Sequence, residues 1–183
     1  PHFQSLNGRW GFRFFDSPLD LPTDFMEPGF DDSGFGDIPV PAHWQFHGHG
    51  APHYTDAIAL VPTHFPPLIP GANPTGAYRK WVTLTPDPAL EYILRFDGVE
   101  SAFHLWVNGQ AAGYSQGSRN TAEFDVTPLL QTGENLIAVA VYQFCDGSMI
   151  EYQDMWTLAG IMRDVTLLTR PRVHLRDLTV IGD

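Results

Sequence analysis

The chain has 183 residues, enough for one domain with a sizeable core, and its 13% aromatic and 17% charged content marks a globular chain, not a disordered one. Its net charge of −11, with Lys80 the single lysine beside nine arginines, argues against nucleic acid or an anionic membrane as partner, because both select basic surfaces; it suits a neutral ligand. The one cysteine, Cys145, leaves no internal disulfide, so a reducing, cytoplasmic setting is expected, and no apolar run approaches the ~20 residues of a membrane span.

Near the start, Trp10, Phe12 and Phe14 alternate with Gly11 and Arg13, the period of a half-buried strand. Residues 19–77 are rich in Pro, Gly and His with little periodicity. Asp31-Asp-Ser-Gly and Ile38-Pro-Val-Pro-Ala-His-Trp read as extended or turning segments. Loops this long in a compact domain are functional or pack against something.

From Gly76 the pattern is cleanly β. Tyr78–Leu84 and Glu91–Phe96 read as strands, with a turn at Asp97-Gly98. Asn108-Gly109 between two strand-like runs predicts a type I′ hairpin, since both residues tolerate positive φ. Glu123-Phe-Asp-Val is a short strand, and 128–131 a helical turn. In the run that follows, Ile137, Val139 and Val141 share one face while Leu136, Ala138 and Ala140 share the other, which predicts a strand covered on both sides. Asp164–Thr169 and Val173–Val180 are expected to close the set. Many short strands separated by Pro/Gly turns predict a β-sandwich spanning 1–183 as a single domain. The low charge fraction, the missing initiator Met and the apolar Leu178-Thr-Val-Ile before Asp183 lead us to expect a piece of a larger protein.

Between the apolar run that begins at Asn135 and the Asp164–Thr169 strand lies a long polar insert, Tyr142–Val165, carrying Asp146, Glu151 and Asp154 beside Tyr152 and Trp156. A connection within a sandwich takes a handful of residues, so this length with acids beside aromatics reads either as a functional loop on a rigid scaffold or as a long solvated loop. Carboxylates accept from sugar hydroxyls and aromatic faces cover the C–H side of a sugar, so a polyhydroxylated ligand fits the composition. Used as interface anchors, the same aromatics fit an interaction module of a multidomain protein. The histidines His43, His47, His49 and His53 match no standard zinc spacing. Cys145 has no basic neighbour in sequence and reads as packing. Gly113-Tyr-Ser-Gln-Gly follows a hairpin strand and so lacks the strand-to-helix elbow of a serine nucleophile. Glycoside hydrolysis uses two carboxyl groups about 5–9 Å apart, and no local pattern pairs the six glutamates. Glu151 and Asp154 are near enough in sequence to converge, though a solvated loop is the expected reading.

Several longer words resemble the amino-terminal domain of β-galactosidases of glycoside hydrolase family 2. They are the run from Val40-Pro-Ala-His-Trp to Tyr54-Thr-Asp, then Asn73-Pro-Thr-Gly-Ala-Tyr-Arg, Asp97-Gly-Val-Glu-Ser-Ala-Phe-His-Leu-Trp-Val-Asn-Gly, Gly113-Tyr-Ser-Gln-Gly-Ser-Arg and Ala122-Glu-Phe-Asp-Val-Thr. The densest runs from Asp146-Gly-Ser through Gln153-Asp-Met-Trp to Gly160-Ile-Met-Arg-Asp-Val, and the similarity extends from about Leu6 to Pro171. The resemblance implies an all-β jelly-roll sandwich of the galactose-binding-domain-like type, ahead of immunoglobulin-like domains and a (β/α)₈ barrel. It implies that the catalytic glutamates and the Mg²⁺ ligands lie on that barrel, so this chain holds no catalytic residue and binds no Mg²⁺. It places Asp154 on the galactosyl ring and an associated Na⁺. It places Asp56 near the sugar, where the family has asparagine; an ionised aspartate only accepts, so this contact departs from the pattern. Tyr152 stands where the family often has an acid. The implied whole is a retaining enzyme acting on terminal β-D-galactosides such as lactose, homo-oligomeric at full length. The alternatives are the same domain of a β-glucuronidase or β-mannosidase, or a non-catalytic carbohydrate-binding module; the Asn-Pro-Thr-Gly and Gln-Asp-Met-Trp words favour the galactosidase.

Overall fold

The computed structural model describes residues 2–55, 72–152 and 154–182. The strands are β1 His2–Ser5, β2 Gly8–Phe15, β3 Gly36–Val40, β4 His53–Thr55, β5 Thr75–Leu84, β6 Leu90–Phe96 and β7 Val99–Glu100. They continue with β8 Ala102–Val107, β9 Gln110–Gln116, β10 Ala122–Asp125, β11 Gly133–Tyr142, β12 Met155–Thr157, β13 Gly160–Ile161 and β14 Val165–Pro171. The α-helix among the described residues is one turn, α1, Ser148–Glu151. A four-stranded sheet (β1-β14-β6-β10) faces a six-stranded one (β3-β2-β5-β11-β8-β9), each built of antiparallel neighbours. This is the expected jelly-roll sandwich.

The alternation read from the sequence sorts side chains between two cores. Trp10 and Phe12 from β2, Leu94 and Phe96 from β6, Phe103 and Leu105 from β8, and Ile137, Val139 and Val141 from β11 fill the space between the sheets. The opposite face of β11 contributes Ala138 and Ala140 to a second core with Phe15 and Phe25. β11 lies between β5 and β8, which is why both of its faces are apolar. At the predicted hairpin, Asn108 and Gly109 both have positive φ (53° and 80°). The Asn108 amide also ties the turn to β11, accepting from Leu136 N at 2.9 Å and donating to Asn135 Oδ1 at 2.9 Å.

The Pro/Gly-rich 19–35 segment packs on the outer face of the six-stranded sheet. Arg79, buried on β5, reaches up into it: Nη1 donates to the Phe25 carbonyl and to Glu27 O at 3.1 Å, and Nε pairs with Asp32 Oδ2 at 3.0 Å. One guanidinium thus gives the Phe25 carbonyl a donor and adds a second to Glu27 O, which also accepts from Phe30 N at 3.2 Å. The helical turn expected at 128–131 is a 3₁₀ turn, Thr127–Leu129.

One expected strand does not form. Val173–Val180 is irregular, with Val173, Leu175, Leu178 and Val180 exposed. Alternating apolarity is only half of what a strand needs; the other half is a ladder partner. The preceding strand, β14, already pairs with β1 on one side and β6 on the other, so the chain leaves the sheet beyond Pro171.

Candidate functional site

The insert is not a free loop. At its base the Asn73 amide exchanges two hydrogen bonds of 2.9 Å with the backbone N–H and C=O of Phe144, and Gln143 N donates to Pro74 O at 2.9 Å. Tyr152 donates its hydroxyl to Gln143 O at 3.0 Å, and burial pushes that phenol up. Tyr152 thus has a structural use in pinning the insert. On the return side, Trp44 N donates to Ala159 O at 3.0 Å and Ala42 N to Ile161 O at 2.8 Å. Gly160, at φ 133°, lies so close to this crossing that a Cβ would stand 2.6 Å from Ala42 O.

Between these anchors the chain makes a small exposed ribbon. β12 pairs with β4 in the register Met155↔Thr55, Trp156↔Tyr54 and Thr157↔His53. The rings of Tyr54 and Trp156 lie 5.5 Å apart, and both are more than half exposed. Asp154 sits at the head of β12, exposed, with φ 51°. Left-handed backbone is uncommon for a residue with a side chain and marks a position held by its surroundings. Its Oδ1 accepts a hydrogen bond from the Tyr54 hydroxyl, and that bond, together with the carboxylate's charge, raises the Tyr54 phenol. The result is a carboxylate beside two solvent-facing aromatic rings, which suits hydroxyl donors and the apolar face of a pyranose. Asp56 lies outside the described residues.

The other two acids of the insert play different parts. Asp146 is exposed and accepts from Gly147 N at 2.8 Å, a local turn contact. Glu151 does not converge with Asp154 on a shared partner: it accepts from Ser118 N at 3.1 Å and from the Ser118 hydroxyl. Behind it lies a buried cluster that the sequence did not signal. Glu100 on β7 has Arg119 Nη2 at 3.6 Å and His43 Nδ1 at 3.8 Å, ion pairs too long to be hydrogen bonds. Burial pushes its carboxyl up to about 7, with Arg119 opposing the rise and Glu151 adding to it. These residues are far apart in sequence and share no motif spacing.

The histidines separate by role. His43 faces Glu100, and burial lowers it. His49 packs on Phe12 and Phe14 at centroid distances of 4.9 and 6.0 Å, while His47 and His53 are exposed. Cys145 is buried, 3.7 Å from the Ser148 hydroxyl. Among the described residues no group of three His, Cys, Asp or Glu side chains could hold a metal ion by itself. What the ribbon offers a hard cation is the Asp154 carboxylate, with further oxygens to come from elsewhere. Among the described residues no helix is long and apolar enough to cross a membrane.

Fold and ribbon together define a sandwich that presents a carboxylate and two aromatic rings at one end, the arrangement of a carbohydrate-recognition domain. The chain belongs to glycosyl hydrolase family 2: the family's sugar-binding-domain model matches residues 3–171. It is 48% identical over 181 residues to a beta-galactosidase of Vibrio vulnificus, and 48% identical over 182 residues to one of Photobacterium profundum. Each match covers 98% of this chain and 18% of the relative, so the chain spans less than a fifth of the length of these enzymes. Among solved structures it is similar to a Bacteroides uniformis beta-glucuronidase, with TM-score 0.69 and 26% identity over 93% of this chain and 18% of that one. A beta-glycosidase from Bacteroides vulgatus shares the fold at TM-score 0.66 and 24% identity, over 92% of this chain and 20% of that one.

Proposed function

We propose that this chain is the sugar-binding domain of a cytoplasmic retaining β-galactosidase, and that Asp154 forms part of the galactose subsite. The observation that carries the reading is the presentation of Asp154: an exposed carboxylate in left-handed backbone, hydrogen-bonded to Tyr54 and flanked by the Trp156 ring. The names of the relatives at 48% identity support a galactoside over the glucuronide of the solved neighbour at 26%. In this reading Asp154 accepts from a galactosyl hydroxyl and supplies one oxygen to a Na⁺ ion, while Asp56 approaches the sugar from the adjoining segment. The catalytic carboxylates and the Mg²⁺ belong to a barrel outside this chain, within a homo-oligomer.

Asp154→Asn in the full-length enzyme tests this. Asparagine keeps the size, removes the charge and replaces one acceptor with a donor. Loss of a charged hydrogen bond is worth roughly 1.5–3 kcal/mol, or about 10- to 150-fold in kcat/KM. We expect kcat to fall as well as KM to rise if the contact tightens in the transition state, with a weakened sodium dependence and a nearly unchanged melting temperature. Wild-type kinetics and sodium response in the variant would make Asp154 an ordinary loop acid.

A further inference from the structure

We propose that the turn carrying Ser118 and Arg119 is the positioning element of the sugar site, gripping the insert on both sides of Asp154; this rests on the reading of Asp154 as the sugar contact. The β9–β10 connection closes as a tight turn, with Asn120 N donating to Gly117 O at 3.0 Å, so Ser118 and Arg119 are its two central residues. Turn centres are ordinarily wet, yet Ser118 is fully buried. Its burial is compensated, since both of its donors, N–H and hydroxyl, are spent on the Glu151 carboxylate, three residues before Asp154. Arg119 reaches the other side: its Nη2 lies 3.7 Å from Sδ of Met155, the residue after Asp154.

The turn is held in its own right. Arg119 Nη2 is 3.6 Å from the buried Glu100, and the Arg119 carbonyl accepts from Arg163 Nη1 at 3.1 Å. Glu100 in turn pairs in register with Gly160, where the insert rejoins the sandwich. The contacts therefore run from the rigid sheets through Glu100 and the turn to the two flanks of Asp154. Such support suits Asp154, because positive φ is uncommon for a residue with a side chain. With both oxygens engaged by Ser118, Glu151 is a positioning residue and not a sugar ligand.

The test uses Glu151→Gln, which keeps the shape and weakens the grip, and Ser118→Ala, which removes one donor. Hydrogen exchange and galactoside kinetics are both followed in the full-length enzyme. We expect exchange at the Met155–Thr157 amides to rise at least 10-fold while β5 and β11 stay protected. We also expect kcat/KM to fall about 10-fold or more, with KM and the sodium requirement both raised. The double variant Glu151→Gln/Asp154→Asn should be little worse than Asp154→Asn alone, since both act through one carboxylate. Unchanged protection at Met155–Thr157 in both single variants, or fully additive kinetic losses, would overturn the positioning role while leaving Asp154 as the contact. An Asp154→Asn enzyme with wild-type kinetics would overturn the underlying reading, and is told apart because the exchange effect of Glu151→Gln would then persist without a kinetic one.

Discussion

The Glu100 side chain is withdrawn from water with a guanidinium on one side and an imidazole on the other. Burial is the largest cause of its raised carboxyl, at about 7 against an ordinary value of 4.5. A carboxyl raised on folding contributes stability that is complete below about pH 4.5 and is lost as the pH climbs through about 7. His43 works the other way: burial lowers it, so its contribution is present above its ordinary value of 6.5 and is lost as the pH falls. Glu100→Gln separates the two, because glutamine imitates the protonated acid and does not titrate. Between pH 4.5 and 7 the wild type should lose stability relative to the variant, by at most about 1.4 kcal/mol per pH unit, and above pH 7 the variant should melt no lower than the wild type. Parallel melting profiles across that window would mean that Glu100 ionises as it would in free solution.

At the scale of elements, the 19–35 segment shows how one buried charge organises a stretch without periodicity. Arg79→Ala removes the donors to the Phe25 and Glu27 carbonyls and the partner of Asp32. We expect a loss of about 1–3 kcal/mol, since the buried Phe25 carbonyl is left without its donor, and early proteolysis within residues 19–35 before the sheets open. A melting temperature within a degree of wild type would show that the second core holds the segment unaided. The same segment marks what sequence can and cannot convey. The Asn108-Gly109 hairpin was legible because its cause is local: two residues that accept positive φ. β11 was legible because its two apolar faces report two neighbours. Val173–Val180 misled because alternation states a face but not whether a partner strand stands beside it. Asp154 was legible only as part of a family word. Its left-handed backbone and its hydrogen bond to Tyr54, 100 positions away, depend on pairing that no local pattern encodes. The Glu100–Arg119 cluster and the Ser118–Glu151 contact were illegible for the same reason.

For the molecule as a whole, the question is whether this sandwich has any hydrolytic chemistry of its own. A glycosidase needs two carboxyl groups about 5–9 Å apart with the scissile bond between them. One candidate for such a pair is Glu100 with Glu151, which adds to the rise of the Glu100 carboxyl; a carboxyl near 7 beside a second acid has the protonation behaviour of a general acid. Access decides against it. The Glu100 side chain is only 2% exposed and faces Arg119 and His43, and Glu151 has both oxygens engaged by Ser118. A glycosidic oxygen cannot reach the buried Glu100, and the Glu151 oxygens are already committed to Ser118. Asp154 is open to solvent, but its one described hydrogen-bond partner is the Tyr54 phenol, not a second acid. The chain alone should therefore leave a nitrophenyl β-galactoside at the buffer rate, even at concentrations where a full-length enzyme would consume it within seconds. Turnover that survived repurification and disappeared in Glu100→Gln or Glu151→Gln would place a complete site in this sandwich and reverse the assignment of Glu151 from positioning to chemistry.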